Sequence, residues 1–84
     1  RDGFIHLSAA HQLGGTLAKY FRNQEDLLLV AFRSGDLGSG LKWEVSRGGE
    51  LFPHLYGPLP TACALWQRAL ELGPDGVPAV KAEW

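Results

Sequence analysis

Apolar positions along this chain change their spacing several times, and each change predicts an element. Phe4, Ile5 and Leu7 favour a strand, entered through a turn at Asp2-Gly3. Leu13, Leu17, Tyr20 and Phe21 then recur at helical spacing, which predicts a helix from about Ala9 to Phe21. Ser8 stands just ahead of it, where a side-chain oxygen can accept a hydrogen bond from the free N–H groups of the first turn. Gly14-Gly15 costs that helix stability, and the pair either permits close approach of another segment or is simply tolerated. Leu27 to Phe32 is an unbroken apolar run that reads as a buried strand. Ser34 to Gly40 reads as a loop or a single helical turn, Leu41 to Val45 as a strand, and Ser46 to Glu50 as a glycine-containing turn. Leu51 to Tyr56 reads as a short strand whose Pro53 cannot donate to a ladder, which predicts an edge or a bulge. Leu65 to Leu72 is ambiguous, since it holds helix formers while its alternation also suits a strand; its place after the Pro58 and Pro60 turn favours a strand over Leu65 to Leu70. Gly73-Pro74-Asp75-Gly76 is a turn.

Strands interleaved with one clear helix and joined by short connections predict an α+β domain with a small, mostly antiparallel sheet. Residues 1–84 form one domain. Alternation and helical period together predict that Phe4, Ile5 or Leu7, Leu17, Leu28, Val30, Phe32 and Trp43 share one core.

Composition changes this picture in a few places. A chain of 84 residues buries only a little over half of the surface its unfolded form exposes, so each apolar residue counts. With 45% hydrophobic and 20% charged residues, it can still bury a core. The net charge of −1 argues against a nucleic-acid polymer as partner, because phosphate neutralisation needs a basic surplus. One cysteine, Cys63, cannot form an internal disulfide, and its apolar neighbours predict a buried, inert thiol. No apolar run is long enough to cross a bilayer and no signal peptide is visible, so no membrane partner is expected and a cytoplasmic location is. The chain starts at Arg1 and contains no methionine, so it is expected to lack an N-terminal segment of a longer protein.

The polar residues that could carry chemistry fall in two groups. His6 lies between Ile5 and Leu7, so on a strand it faces away from them, either as a structural histidine or as a proton-transfer group. Ser8 caps the helix, and the same helix end could also attract an anion. Arg47-Gly48-Gly49 is either a plain hairpin turn with a solvated arginine or an anion site, in which backbone amides approach closely and the guanidinium binds bidentately. His54 and Tyr56 are two apart on one strand face and form either a ligand wall or an exposed edge. Trp43 either packs in the core or stacks on a ligand ring. Glu44 is a candidate carboxylate for proton transfer or charge stabilisation. The spacing of His6, Glu44 and His54 matches no metal motif, so no metal site is expected. Ser8, His54 and Glu44 are the residue types of a hydrolytic triad, but no GxSxG-like elbow accompanies them.

Two segments carry a resemblance. The first is Asp2-Gly3-Phe4-Ile5-His6-Leu7-Ser8. The second runs Leu41-Lys42-Trp43-Glu44, Ser46-Arg47-Gly48-Gly49 and Leu51-Phe52-Pro53-His54-Leu55-Tyr56-Gly57-Pro58-Leu59. Together they are similar to the signature of the bacterial domain-of-unknown-function 952 family. Members of that family usually carry one more strand and a helix ahead of the first segment. They often have glutamate at the position of His11, which would complete a capping box with Ser8. More remotely, a GFIHLS-like strand leading into a helix resembles the ADP-ribosyltransferase fold. That resemblance implies a cleft for a nucleotide or phosphorylated small molecule, NAD among the cofactors, with Glu44 as the candidate for the fold's glutamate. On this reading Arg47 pairs with phosphate, helped by the amides of Gly48 and Gly49. His6 and Tyr56 orient the ligand, with Ser8 and Trp43 beside it, and His54 or Glu44 moves the proton. His6, Arg47, His54 and Tyr56 are expected to converge on one concave surface. The alternatives are a non-catalytic ligand- or peptide-binding module and a structural subunit; the sequence leaves the oligomeric state open.

Overall fold

The strand of Leu51–Leu55 organises the chain, because both of its edges are used. This computed structural model describes residues 3–81 and 83–84, and of Arg47 the backbone alone; Asp2 of the expected entry turn lies outside the described residues. The elements are β1 (Ile5–His6), α1 (Ala10–Tyr20), β2 (Leu27–Ala31), β3 (Leu41–Val45), β4 (Leu51–Leu55) and β5 (Trp66–Leu70). The fold class is α+β with antiparallel pairing and one α-helix; short 3₁₀ segments cover Ser34–Gly40, Arg47–Gly49 and Thr61–Cys63. Instead of the single sheet expected, there are two: a three-stranded sheet in the order β1-β4-β3 and a separate β2-β5 ribbon. The strand assignment over Trp66–Leu70 holds, with Ala31 opposite Trp66 and Leu27 opposite Leu70.

β4 is central, not an edge, and its proline explains how. Tyr56 N–H donates to Gly40 O (2.8 Å) and Ser46 N–H to Glu50 O (2.9 Å), so the alternate residues Phe52 and His54 spend their backbone groups on β3. Leu51 and Pro53 therefore turn theirs the other way. The missing N–H of Pro53 costs nothing on the β3 side. On the far side Pro53 accepts from Leu7 N–H (3.0 Å) but cannot donate back, so the β1 ladder stops after two residues. Gly40 is required at the other end of the β3–β4 pairing: a Cβ there would lie 2.5 Å from the Tyr56 carbonyl oxygen.

The helix begins one residue later than its serine suggested. Ala9 is the N-cap, and Ser8 Oγ instead shares a hydrogen bond with Thr16 Oγ1 (2.9 Å). Alanine has no side-chain acceptor, so Gln12 does the capping: its Oε1 accepts from Ala9 N–H (3.0 Å) while its backbone N–H donates to Ala9 O (2.9 Å). Gln12 Nε2 donates to Leu51 O (2.6 Å), on the β4 edge that β1 is too short to cover. This residue is 6% exposed and joins helix start to sheet. The far end of α1 is tied to the C-terminal turn, since Asn23 N–H donates to Gly76 O (2.7 Å) and Arg22 Nη1 to Asp75 O (3.0 Å). Asn23, in the turn past the C-cap Phe21, has φ +64°, a left-handed conformation that asparagine tolerates.

The core is smaller and elsewhere than alternation predicted. Leu17, Phe52, Leu55 and Leu70 are buried, and of these only Leu17 was expected. Phe4, Leu7 and Phe32 are half-buried, whereas Leu28 is 55% and Trp43 48% exposed, with Ile5 and Val30 also exposed. The reason lies in the ribbon. β2 alternates, with Leu27, Leu29 and Ala31 half-buried and Leu28 and Val30 exposed, so its apolar run has one covered side rather than two. Cys63 is half-buried. Among the described residues no helix is long and apolar enough to cross a membrane.

Replacing Gln12 by alanine removes the cap and the Leu51 bond together and should cost about 2 kcal/mol in chemical denaturation. Gln12→Glu should be at least as damaging at neutral pH, because its carboxylate would face the Leu51 carbonyl, and should recover in acid. Gly14 has open space where a Cβ would sit. Gly14→Ala should therefore stabilise the chain by about 0.5–1 kcal/mol in the same measurement.

Candidate functional site

Directly opposed residues on antiparallel strands project from the same side of a sheet. His6 is opposite His54, Lys42 is opposite His54 and Glu44 is opposite Phe52, so these five side chains share one face. The His6–His54 pair exchanges no backbone bonds, which is the closer of the two antiparallel spacings. Their rings meet edge to face at 5.1 Å.

His54 is the centre of this face. It is 5% exposed, and its Nδ1 lies 2.8 Å from Glu44 Oε1. Tyr56 Oη donates to the same oxygen (2.7 Å). Phe4 covers the imidazole, with ring centroids 4.3 Å apart and planes 29° from parallel, and it also touches His6 (4.8 Å) and Tyr56 (5.0 Å). The Tyr56 hydroxyl and then the His54 ring, with Lys42 further off, hold the Glu44 carboxyl below its ordinary value, and the carboxylate in turn pushes the Tyr56 phenol up. An ionised carboxylate only accepts, so Nδ1 of neutral His54 carries the hydrogen and Nε2 the lone pair. That Nε2 is buried and has no hydrogen-bond partner among the described residues.

The structure thus brings together His6, Glu44, His54 and Tyr56, and separates the rest of the expected set. Trp43 points to the opposite face from Glu44, by strand alternation. Ser8 Oγ is hydrogen-bonded to Thr16 Oγ1 on the helix (2.9 Å), not to His54 or Glu44. Gly48 (φ +64°) and Gly49 (φ +79°) make the β3–β4 turn beyond Leu51. At about 3.3 Å per residue, that turn is on the order of 10 Å or more along the strand from His54, so it does not rim the His54 cluster. Gly48 lines a different, shallow groove with His11, Gln12, Lys19 and Glu50. The side chain of Arg47, expected to pair with phosphate there, lies outside the described set. Sequence reasoning missed Phe4 and Lys42. Lys42 was findable, since it stands two residues from Glu44 on a strand. Phe4 was not, because only the β1–β4 register sets it over His54. No group of three or more His, Cys, Asp or Glu residues is arranged to hold a metal ion among the described residues.

The chain belongs to the family described as Protein of unknown function (DUF952), which matches residues 1–67. It is similar to protein CC0527 of Caulobacter crescentus, whose crystal structure superposes with a TM-score of 0.87 at 52% identity over 93% of this chain and 68% of that one. The solution structure of the same protein, by NMR, gives 0.80 at 53% identity over 92% of this chain and 66% of that one. This chain therefore spans about two thirds of that protein's length. No curated protein matches it.

The Glu44–Tyr56 bond has an opposite pH signature at each end. Glu44 is lowered in the folded state, so its contribution to stability is present above the ordinary carboxylate range and is lost as pH falls through the lowered value. Tyr56 is raised above 10.0, so its contribution is present below that value and is lost as pH rises through the folded one. Ultraviolet titration of the phenolate should show one tyrosine ionising late, and Glu44→Gln should return it towards 10.0. An unchanged titration would disprove the bond.

Proposed function

We propose that this chain binds a small ring-bearing ligand, a nucleotide or other phosphate ester, against Phe4, His6 and Tyr56, and exchanges a proton with it through His54. The observation that carries this reading is the unpartnered Nε2 of a buried imidazole. Such a group costs about 1–3 kcal/mol if nothing meets it, and native folds rarely keep one without use. Glu44 orients the ring and would stabilise the imidazolium formed when Nε2 takes a proton from a ligand hydroxyl or N–H, an arrangement suited to general base catalysis. The aromatic wall suits a planar ring such as a nucleobase or nicotinamide, which keeps NAD within the ligand class and agrees with an ADP-ribosyltransferase-like cleft. Lys42, exposed and opposite His54, is the cation nearest in register to meet a phosphate, in the role first expected of Arg47.

A second reading, a non-catalytic binding module, is favoured by the cover that Phe4 places on His54. A ligand reaches Nε2 only if that ring shifts, and a site that merely recognises ligands needs no such access.

Titration with NAD, ADP and inorganic phosphate, followed by thermal stability and by product formation, tests both readings. A bound nucleotide at a hundred times its dissociation constant should stabilise the chain by about 2.7 kcal/mol. Turnover of the bound nucleotide should be measurable in the wild type and lost in His54→Gln, with binding retained. Stabilisation without turnover leaves the binding module. Absence of stabilisation by any of the three ligands ends the nucleotide reading.

A further inference from the structure

Among the described residues the outer edge of β3 is open, because β3 ends the order β1-β4-β3. Lys42 and Glu44 spend their backbone groups on β4, so Trp43 and Val45 turn theirs outward, and among the described residues no backbone group bonds them there. Leu41 faces outward too, with its N–H already given to Gly38 O. Natural edge strands are usually blunted by short length, charged side chains, proline or a bulge, and β3 carries the charges Lys42 and Glu44. β3, with the sequence Leu-Lys-Trp-Glu-Val, has no proline and pairs residue for residue with β4. The face it shares with Leu51 is apolar and exposed at one end: Trp43 is 48%, Val45 68% and Leu51 49% exposed, while Pro53 and Leu55 further along are buried.

The charges on the opposite face choose the partner. In antiparallel self-pairing, outward residues must oppose outward residues, so only registers differing by two residues are allowed. Pairing centred on Trp43 puts Lys42 opposite Glu44 of a second copy, and Glu44 opposite its Lys42. It also puts Leu41 opposite Val45, and Trp43 opposite itself. Sliding to either neighbouring register sets Lys42 against Lys42 or Glu44 against Glu44, and like charges directly opposite are destabilising. One register is thus complementary in backbone, charge and apolar surface at once, about a two-fold axis, as an isologous contact requires.

We propose that β3 pairs with β3 of a second copy of this chain through this register, joining the two β1-β4-β3 sheets into one. Glu44 gives Oε1 to His54 and Tyr56, which leaves Oε2 for the second copy's lysine. The His54 cluster then lies beside the dimer boundary. A contact of this length falls short of a standard-size interface, so association is expected at micromolar concentrations or above.

Sedimentation over a wide concentration range should show a monomer–dimer equilibrium. Lys42→Glu, an exposed substitution, should raise the dissociation constant at least about tenfold, since it sets two pairs of like charges face to face. Cysteines placed in a Cys63→Ala background map the register. At 43 the Cα atoms of the two copies would stand roughly 5.5 Å apart, within disulfide range. At 45 they would stand roughly 14 Å apart. Trp43→Cys should therefore form a covalent dimer under mild oxidation and Val45→Cys should not. A chain that stays monomeric throughout, a dimer indifferent to Lys42→Glu, or equal cross-linking at both positions would each overturn the proposal.

Discussion

The carbonyl groups of Leu51 and Pro53 hold the N-terminal half of this chain against the sheet. They lie on the edge of β4 that faces away from β3, and their acceptors are taken by Gln12 Nε2 and Leu7 N–H. Proline at 53 shapes that edge: it accepts one bond and returns none, so β1 ends, and the next free carbonyl is left to a side chain. A buried carbonyl without a partner costs more than a hydrogen bond returns. The helix start is thus positioned by a polar requirement of the sheet as well as by its own apolar face.

The same strand sets the chemistry. Because β4 is central, His54 receives neighbours from both sides, His6 from β1 and Glu44 from β3. On an edge strand it would have met only one of them. Burial strengthens the Glu44–His54 bond and makes the vacant acceptor at Nε2 expensive, since low dielectric acts on both. Tyr56 adds a second donor to the carboxylate and so biases it further towards the ionised form. The arrangement fixes the orientation of the ring and, in the neutral imidazole, its tautomer, with Nε2 as the acceptor.

The remaining apolar surface follows from the division into two sheets. In the β2-β5 ribbon Leu28 is exposed while Leu70, opposite Leu27, is covered. The three-stranded sheet places its polar residues on one side and leaves Trp43, Val45 and Leu51 on the other. A small chain whose buried apolar residues are so few is sensitive to single polar anchors such as Gln12, and its exposed sheet edge is the natural place for association.

Over β5 local spacing suited helix and strand alike, and the preceding turn and the family resemblance decided it; elsewhere spacing was enough to locate the helix, β1 to β4, the Gly48-Gly49 turn, and the shared face of His54 and Tyr56. These follow from bonded geometry: side chains alternate every two residues in a strand and recur every 3.6 in a helix, whatever lies around them. The DUF952 membership was legible for the same reason, as motifs in fixed linear order. What the tertiary structure alone decided is which strand is central, which side of β2 is covered, that Gln12 rather than Ser8 caps α1, and that Glu44 and Phe4 meet His54 while Trp43 and Ser8 do not. Pro53 shows why. Its missing N–H is visible in the sequence, but whether that costs a ladder bond depends on the side it faces. That side is set by the register with β3, a contact between residues distant along the chain whose energy no local pattern encodes.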